Sequence, residues 1–376
     1  MFDYSERIEG LRDKKVRLPS DFEGKLLAHR KANRDRLIAR LPEQMIGVTI
    51  GESSFKPQGS FAMQTVIQTK FKDEEYDIDD GVVLWKHQLV DKEGKELTAT
   101  KVKEDVREAL KDKRFSRQPK ICTNCVRVFY ADEDEERHHV DFPVYRKWEE
   151  QNGDTIRELA SDGQWVKSDP TQVNVWFDDV VKDRNKTKEG WGTQFRQLIQ
   201  LLKRFCRSRP DTEWDMPNGM KLTMLVAECQ PPCQSRIDVV FRELLTKVHR
   251  RLQVTKVIRN LAHPDTPQIT TTTADSNVIE LETRCKEALD KLKELDKSEN
   301  DNLDAARSAW DWVFRSDGFF KEFDEKAKKE EEKKKALVEK AALVGNGART
   351  SAYGVIGLSG VANVAHKFYG DRTHET

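Results

Sequence analysis

Two aspartates, Asp77 and Asp79, lie two positions apart in the run EYDIDDG (residues 75–81), which continues into four apolar residues. In a β-strand alternate side chains face the same side, so these two carboxylates project together while Asp80 points away. Adjacent carboxylates repel each other, and the packing of a fold rarely calls for such a pair. Divalent cations do require such a pair, because they prefer oxygen ligands and two of them can clamp the oxygens of a phosphoryl displacement. The spacing therefore predicts a two-metal site for phosphoryl transfer.

A two-metal site usually needs a third carboxylate from a neighbouring strand, and Asp141 is the candidate. It lies between Val140 and Phe142 and is the one acid in an apolar, strand-like context between the aspartate pair and residue 150. Upstream of the pair, Gly59 and Ser60 form a turn before a short predicted helix. Such a turn can offer backbone N–H groups and a hydroxyl to a phosphate. The dipeptide is common in loops, and its position before the aspartates is what favours this role.

The surrounding pattern indicates which elements must position these residues. A strand is predicted over 76–85, and a hairpin over 121–130 and 139–145. The predicted helices are 20–41, 169–181, 194–207, 236–252, a helix or helical pair over 277–314 and a charged helix over 321–340.

The composition sets the class of protein. The chain has 376 residues, with 66 Lys+Arg balanced by 66 Asp+Glu. No apolar run approaches the ~20 residues needed to span a bilayer, and the charged N-terminus lacks the apolar core of a signal peptide. The six cysteines are scattered, which favours a reducing compartment, so we expect a cytoplasmic protein. The neutral balance argues mildly against stable binding of a long nucleic acid.

The order of these motifs resembles the polymerase-β-type nucleotidyltransferases. The run QGSF (58–61) followed by YDIDDG (76–81) is more narrowly similar to the bacterial cGAS-like enzymes, the CD-NTase family of anti-phage defence. The resemblance continues more loosely through the helix after Asp169, the helix around Lys203 and the Pro217-Asn218-Gly219 turn. It implies an α+β fold with a polymerase-β-like core and a mostly helical C-terminal lobe. We expect the core with its N-terminal helix at 1–165, the helical lobe at 166–320, and a charged helix with a flexible tail at 321–376.

The resemblance also implies an activity. CD-NTases join nucleoside triphosphates, with ATP among them, into cyclic di- or trinucleotides that activate a downstream effector. Two Mg²⁺ ions would be held by Asp77, Asp79 and Asp141. The residues expected to bind the nucleotide are Gln58, Gly59, Ser60, Lys203, Asn218 and Lys221. A protein that activates the enzyme is a further expected type of partner, and a membrane is not.

Several alternatives stay open at this point. The enzyme could add nucleotides to RNA or another acceptor, or the chain could be a catalytically silent nucleotide-binding protein. Lys203 could bind a triphosphate, or it could lie along an apolar face with its ammonium in water. Zinc could be held by Cys122 and Cys125 with Cys229 and Cys233, or with a histidine. The strand-like context of Cys122 and Cys125 argues against zinc, and His138 and His139, which must face opposite sides, are expected at the surface beside the cleft.

Overall fold

The computed structural model of the chain describes residues 2–71, 75–130, 137–188, 190–263, 269–270, 272 and 274–347. The chain divides into two compact units, the first ending at Phe323 and the second beginning at Asp324. The first unit holds all the elements that position the candidate site. The predicted charged helix is present as Phe319–Gly347, and the rest of the predicted tail, residues 348–376, lies outside the described residues.

A mixed sheet forms the centre of the N-terminal half. Its eight strands are β1 (Phe55–Gln58), β2 (Tyr76–Trp85), β3 (Lys120–Ile121), β4 (Val126–Tyr130), β5 (His138–Phe142), β6 (Val144–Glu149), β7 (Thr155–Ser161) and β8 (Gln164–Lys167). Strand β2 pairs antiparallel with β1 and parallel with both β5 and β6. β5 and β6 keep one register on β2, so they form a single path interrupted at Pro143, which has no N–H to donate. The predicted strand 76–85 is confirmed. The predicted hairpin is present as β4 and β5, but its first arm is shorter than 121–130 because residues 122–125 form a turn.

The same half of the chain contains the helices α1 (Ser5–Leu11), α2 (Ser20–Gln44), α3 (Gly59–Ala62) and α4 (Ala99–Leu110). Helices α2 and α4 pack together and close one hydrophobic cluster against the sheet, while the short helix α3 follows β1 directly. The period-2 alternation of β2 and β5 sends one set of side chains into this cluster, including Ile78 and Val140. The two faces of β2 therefore have different tasks, one packing the cluster and one carrying Asp77 and Asp79.

A second cluster is built from helices. They are α5 (Pro170–Thr187), α6 (Trp191–Cys206), α7 (Gly219–Cys229), α8 (Ile237–Val254), α9 (Ser276–Lys293), α10 (Leu303–Phe314) and the start of α11 (Phe319–Gly347), which contributes Phe319 and Phe320. The predicted helices 194–207 and 236–252 correspond to α6 and α8, and the predicted 277–314 element is the pair α9 and α10. Trp310 and Phe314 of α10 are fully buried against Phe241 of α8. None of the described helices is both long and apolar enough to cross a membrane.

The N-terminal segment packs into this helical cluster, although it lies within the range 1–165 predicted for the core. Tyr4, Ile8 and Leu11 are fully buried there, at a spacing that puts them on one face of α1. Asp238 of α8 anchors the segment, because its carboxylate accepts hydrogen bonds from the Tyr4 N–H at 3.2 Å and the Ser5 hydroxyl at 2.7 Å. Sequence order alone does not reveal a contact made across more than 230 residues.

Candidate active site

The parallel pairing of β2 with β5 brings the predicted carboxylates to one face of the sheet. In this register Asp77 lies opposite His139, and Asp79 lies opposite Asp141. Since Asp77 and Asp79 share one face, their partners His139 and Asp141 share it too. Three carboxylates and one imidazole therefore meet at adjacent positions of two strands.

The ligand atoms of Asp77, His139 and Asp141 all lie within 4.8 Å of one another. His139 Nε2 is 3.2 Å from Asp77 Oδ1 and 3.9 Å from Asp141 Oδ2. Its other ring nitrogen, Nδ1, is 3.2 Å from the Glu75 carboxylate. Within the described parts of the chain this is the one group of three or more His, Cys, Asp or Glu side chains spaced to hold a metal ion.

The charges in this group are poorly compensated. Burial raises the pKa of Asp79 well above its usual value, and the neighbouring carboxylates of Asp77 and Asp141 raise it further. Burial lowers the pKa of His139, but its hydrogen bond to Asp77 and the nearby carboxylates outweigh burial, so the net shift is upward. Because the raised pKa values of Asp79 and His139 show that this cluster favours added positive charge, the cluster also suits a metal cation. The oxygen donors of the three aspartates fit a divalent metal such as Mg²⁺.

Arg127 of β4 is a member of the site that the sequence did not reveal. Its Nε and Nη2 donate to the two carboxylate oxygens of Asp141, at 2.8 and 2.7 Å. The two residues lie opposite each other in the β4–β5 pairing. The guanidinium thereby fixes the orientation of Asp141 and offsets one of the clustered negative charges. The signal that could have found it is the hairpin register, which depends on a turn length that the sequence leaves open.

Gly59 makes the close approach of α3 to the aspartates possible. Its φ of +64° lies in the left-handed region, and a Cβ atom there would overlap Asp79 Oδ2. The carboxylate of Asp79 therefore lies directly against the start of the helix that carries Ser60. The residues predicted to hold metal and phosphate can lie this close together only because position 59 is a glycine, which has no Cβ atom.

We expect Gly59→Ala to abolish most activity, because the methyl group must displace Asp79. Gly94→Ala is the matched control, since Gly94 also has a left-handed φ, +80°, but has no atom within 4 Å of its Cβ position. Both substitutions carry a backbone cost of about 1–2 kcal/mol. Activity assays and urea unfolding should show similar destabilisation from the strained backbone but loss of activity only in Gly59→Ala. Equal activity of the two variants would contradict the proposed contact.

A cavity of about 350 Å³ opens beside the carboxylates. The predicted site residues that line it are Gly59, Ser60, Asp77, Asp79, Lys203 and Asn218. Lys203 of α6 is only 5% exposed, so its ammonium does not reach into water. Its Nζ donates to the Thr65 carbonyl at 2.9 Å and to the Thr65 hydroxyl at 3.1 Å. Burial, helped by nearby Arg207, lowers the pKa of Lys203 to about 7.

The other predicted nucleotide-binding residues lie differently. Asn218 caps α7, where its side chain accepts a hydrogen bond from the Lys221 N–H at 3.1 Å. Lys221 is not among the residues that line the cavity, and its Nζ pairs with Asp275 at 2.7 Å. Gln58 lines a neighbouring, smaller cavity beyond Gly59, where its Oε1 accepts a hydrogen bond from the Tyr145 hydroxyl.

The expectations for His138 and His139 were partly wrong. They do face opposite sides, but both are buried rather than exposed. His139 lies among the carboxylates. His138 packs on the other face of the sheet, stacked with Tyr130 and His29, because the whole of β5 is enclosed on both faces.

The expected environment of Cys122 and Cys125 was also wrong. The two residues flank a tight turn between β3 and β4, with the Cys122 N–H donating to the Cys125 carbonyl at 2.9 Å, so they do not lie in one continuous strand. Neither is part of the metal-spaced group found among the described residues, and nor are Cys229 and Cys233. All four thiols are free.

Comparison with known proteins agrees with this geometry. Residues 53–145 match the family model of the nucleotidyltransferase domain of cyclic GMP-AMP synthase DncV-like proteins. A cyclic GMP-AMP synthase of Escherichia albertii is 25% identical over 241 residues, which cover 61% of this chain and 48% of that protein. The match thus spans about half the length of that curated relative.

Solved structures share the fold. Vibrio cholerae DncV cyclic AMP-GMP synthase in complex with the linear intermediate 5' pppA(3',5')pG aligns with a TM-score of 0.64 at 14% identity, over 83% of this chain and 95% of that chain. The same enzyme with nonhydrolyzable GTP aligns with a TM-score of 0.63 at 15% identity, over 84% and 96%. The α+β nucleotidyltransferase architecture expected from the sequence, with helices following the sheet, is confirmed.

Proposed function

We propose that the chain, as a cGAS-like nucleotidyltransferase of the CD-NTase family, joins nucleoside triphosphates into a cyclic di- or trinucleotide. The observation that carries the proposal is one cavity lined by Asp77, Asp79, Ser60 and Lys203, with Asp141 on the adjoining strand. The proposed metal ligands and the proposed phosphate-binding groups thus lie side by side. ATP and GTP are the proposed substrates.

Asp77, Asp79 and Asp141 would hold two Mg²⁺ ions, with His139 beside them. Bound Mg²⁺ would supply Lewis acidity, neutralising charge on the leaving pyrophosphate and lowering the pKa of the attacking hydroxyl. Arg127 donates to both oxygens of the Asp141 carboxylate and fixes its orientation. Because two backbone strands and one guanidinium fix these side chains, the ligands need little rearrangement before reaction.

The chain's own residues position the reacting groups. Ser60 and the first N–H groups of α3 would bind phosphate oxygens of the donor nucleotide, and Lys203 would reach its β- and γ-phosphates. A ribose hydroxyl of the acceptor would attack the donor α-phosphorus and pyrophosphate would leave. Asp141 would help to accept the hydroxyl proton, although a hydroxyl bound to metal needs little further help. A second transfer within the linear product closes the ring. Catalysis then consists mainly of positioning and charge stabilisation.

Lys203→Met should reduce kcat/KM for ATP by roughly 10- to 100-fold, since hydrogen bonds to charged groups contribute about 1.5–3 kcal/mol. The pKa of Lys203 is lowered to about 7, so Lys203 loses its proton as the pH rises through that value. The affinity of the wild type for ATP should fall over the same range. Lys203→Arg, which stays charged, should lose this pH dependence. The measurement is KM for ATP from about pH 6 to 8.5 in all three proteins, a range that brackets this titration. An identical pH profile in the wild type and Lys203→Arg would remove Lys203 from phosphate binding.

We propose that the product acts in the cytoplasm as a second messenger of anti-phage defence. It would bind an effector that harms the infected cell, and an activating protein would set when synthesis begins. This part of the proposal rests on family membership. It is tested by expressing the wild type and an Asp77→Asn/Asp79→Asn variant in bacteria challenged with phage, where protection by the variant would contradict it.

The alternative acceptor, RNA, is distinguished by a single incubation. Labelled NTPs, Mg²⁺ and a short RNA are mixed with the protein, and the products are treated with phosphatase and separated by size. We expect label in a small phosphatase-resistant product, with or without RNA. Label that appears only in lengthened RNA would establish tailing instead. ATP binding with no turnover in the presence of Mg²⁺ would favour a silent nucleotide-binding protein.

A further inference from the structure

A second cavity, of about 290 Å³, lies on the outer side of the loop that follows Ser60. It is formed by the segment after α1, by the loop 61–66 and by α6. Three arginines line it, Arg12, Arg17 and Arg196, and among the described residues of its lining Glu23 alone carries a carboxylate. We call it the arginine cavity. Its lining includes none of the residues assigned to the reaction above.

The positive charge of the arginine cavity is only partly compensated. Arg12 is bonded to exposed Asp13, which does not line the cavity. Arg196 has its nearest carboxylate oxygen, on Asp178, at 3.9 Å, and burial lowers the pKa of its guanidinium. None of the ion pairs found among the described residues involves Arg17. A concave site with excess guanidinium charge suits a small ligand with at least two negative charges, because guanidinium groups match carboxylate and phosphate oxygens.

The loop 63–66 is the wall between this cavity and the catalytic one. Gln64 and Val66 line the arginine cavity, while Met63 and Val66 line the catalytic cavity. Gln64 adopts a left-handed backbone with φ of +57°. This conformation costs a non-glycine residue of order 1–3 kcal/mol and persists only where its surroundings hold it.

Three side chains of helix α6 donate hydrogen bonds to backbone carbonyls of this wall. On the arginine-cavity side Arg196 donates to the Met63 carbonyl and Gln200 to the Gln64 carbonyl, both at 3.2 Å. On the catalytic side Lys203 donates to the Thr65 carbonyl at 2.9 Å. The Thr65 N–H in turn donates to the Ser60 carbonyl at 2.8 Å. The wall thus connects side chains of the arginine cavity to two of the proposed phosphate-binding residues.

We propose that the arginine cavity is a regulatory binding site for a small dianion that carries carboxylate or phosphate groups. The dianion recruits Arg196 and Gln200 from the Met63 and Gln64 carbonyls. The wall then loses its outer hydrogen bonds, and Ser60 and Lys203, which depend on it, bind the donor triphosphate less well. Occupancy therefore raises KM for the nucleotide from a site that the nucleotide does not occupy. The regulatory part rests on the proposed function, whereas binding of the dianion does not.

Binding is tested by calorimetric titration of the full chain with inorganic phosphate and, separately, with succinate, in the absence of metal and nucleotide. We expect one site for at least one of the two anions. Arg17→Gln should weaken binding about tenfold, the equivalent of one charge-assisted hydrogen bond. Arg250→Gln is the matched control, because Arg250 is exposed on α8 and does not line the cavity. Arg207→Gln should bind as the wild type does, because Arg207 lines the catalytic cavity and not the arginine cavity.

The two anions distinguish the sources of the ligand, since succinate binding indicates a dicarboxylate and phosphate binding a phosphorylated ligand. Absence of binding by both would overturn the proposal. Binding lost in Arg207→Gln but kept in Arg17→Gln would also overturn it, because that result would place the anion in the catalytic cavity.

Regulation is tested with the better anion at saturation. The anion should raise KM for ATP in the wild type and Arg250→Gln but not in Arg17→Gln. An unchanged KM for ATP in the wild type would refute regulation. It would leave the binding result intact, because binding is measured without turnover.

Discussion

Asp79→Asn is expected to lose cyclic-product formation by about a thousandfold or more, because metal-assisted charge stabilisation contributes several kcal/mol and each 1.36 kcal/mol is a factor of about ten in rate. The same variant should be more stable than the wild type in the absence of metal. The buried Asp79 carboxylate is repelled by Asp77 and Asp141, and an amide is not. Melting temperature should rise by roughly 2–4 °C for each kcal/mol of repulsion relieved.

The repulsion at Asp79 also predicts how the stability of the metal-free protein depends on pH. The folded-state pKa of Asp79 is raised from 3.8 to about 8, so the protonated carboxyl favours the folded state. That stabilisation is present below about pH 4 and is lost as the pH rises toward about 8. Metal-free wild type should therefore lose more stability between about pH 5 and 8 than Asp79→Asn does. Thermal melts of both proteins in EDTA make the comparison, and parallel pH profiles would show that Asp79 is not repelled.

Asp80→Ala is expected to destabilise the fold by about 3–5 kcal/mol, because it removes one partner of a buried ion pair. Asp80 is fully buried, and both of its carboxylate oxygens accept from Arg34 of α2 at 2.6 Å. In the variant Arg34 would keep its bond to Glu52, which is 61% exposed, and its position over the ring of Phe55. Urea unfolding at neutral pH measures the loss.

Asp35→Ala is the control for Asp80→Ala. Asp35 also pairs with a cation of α2, Lys31, but both side chains are more than half exposed. The expected change is therefore below about 1 kcal/mol. Equal effects of the two substitutions would contradict a buried ion pair. Activity of the folded Asp80 variant, assayed at low temperature, should exceed that of Asp77→Asn or Asp79→Asn, since Asp80 faces away from the metal ligands.

The geometry of the aspartates was predictable because it depends on one simple rule. A strand alternates its side chains, so the type and spacing of residues 77–80 already separate the two proposed ligands from Asp80. Asp141 was identifiable as an acid in an apolar strand, where only a partner or a metal makes its charge tolerable. Both inferences need no knowledge of distant contacts.

The residues that the sequence did not reveal depend on register and on long-range packing. Arg127 reaches Asp141 only through a hairpin whose turn length the sequence leaves open. His139 is buried because β5 is covered on both faces, which local polarity does not show. Lys203 looks like any lysine on an amphipathic helix, and only the position of the loop carrying Thr65 explains why it faces inward. The N-terminal segment joins the helical cluster for a similar reason.

The most direct test of the metal site is to count bound divalent ions, with Mn²⁺ as a paramagnetic probe in the presence of a nonhydrolysable ATP analogue. The proposed ligands are Asp77, Asp79 and Asp141, whereas the side chains that lie closest together are Asp77, His139 and Asp141. We predict two bound ions in the wild type and in His139→Ala, and the loss of at least one ion in Asp79→Asn. Full binding by Asp79→Asn together with loss in His139→Ala would contradict the three-carboxylate site.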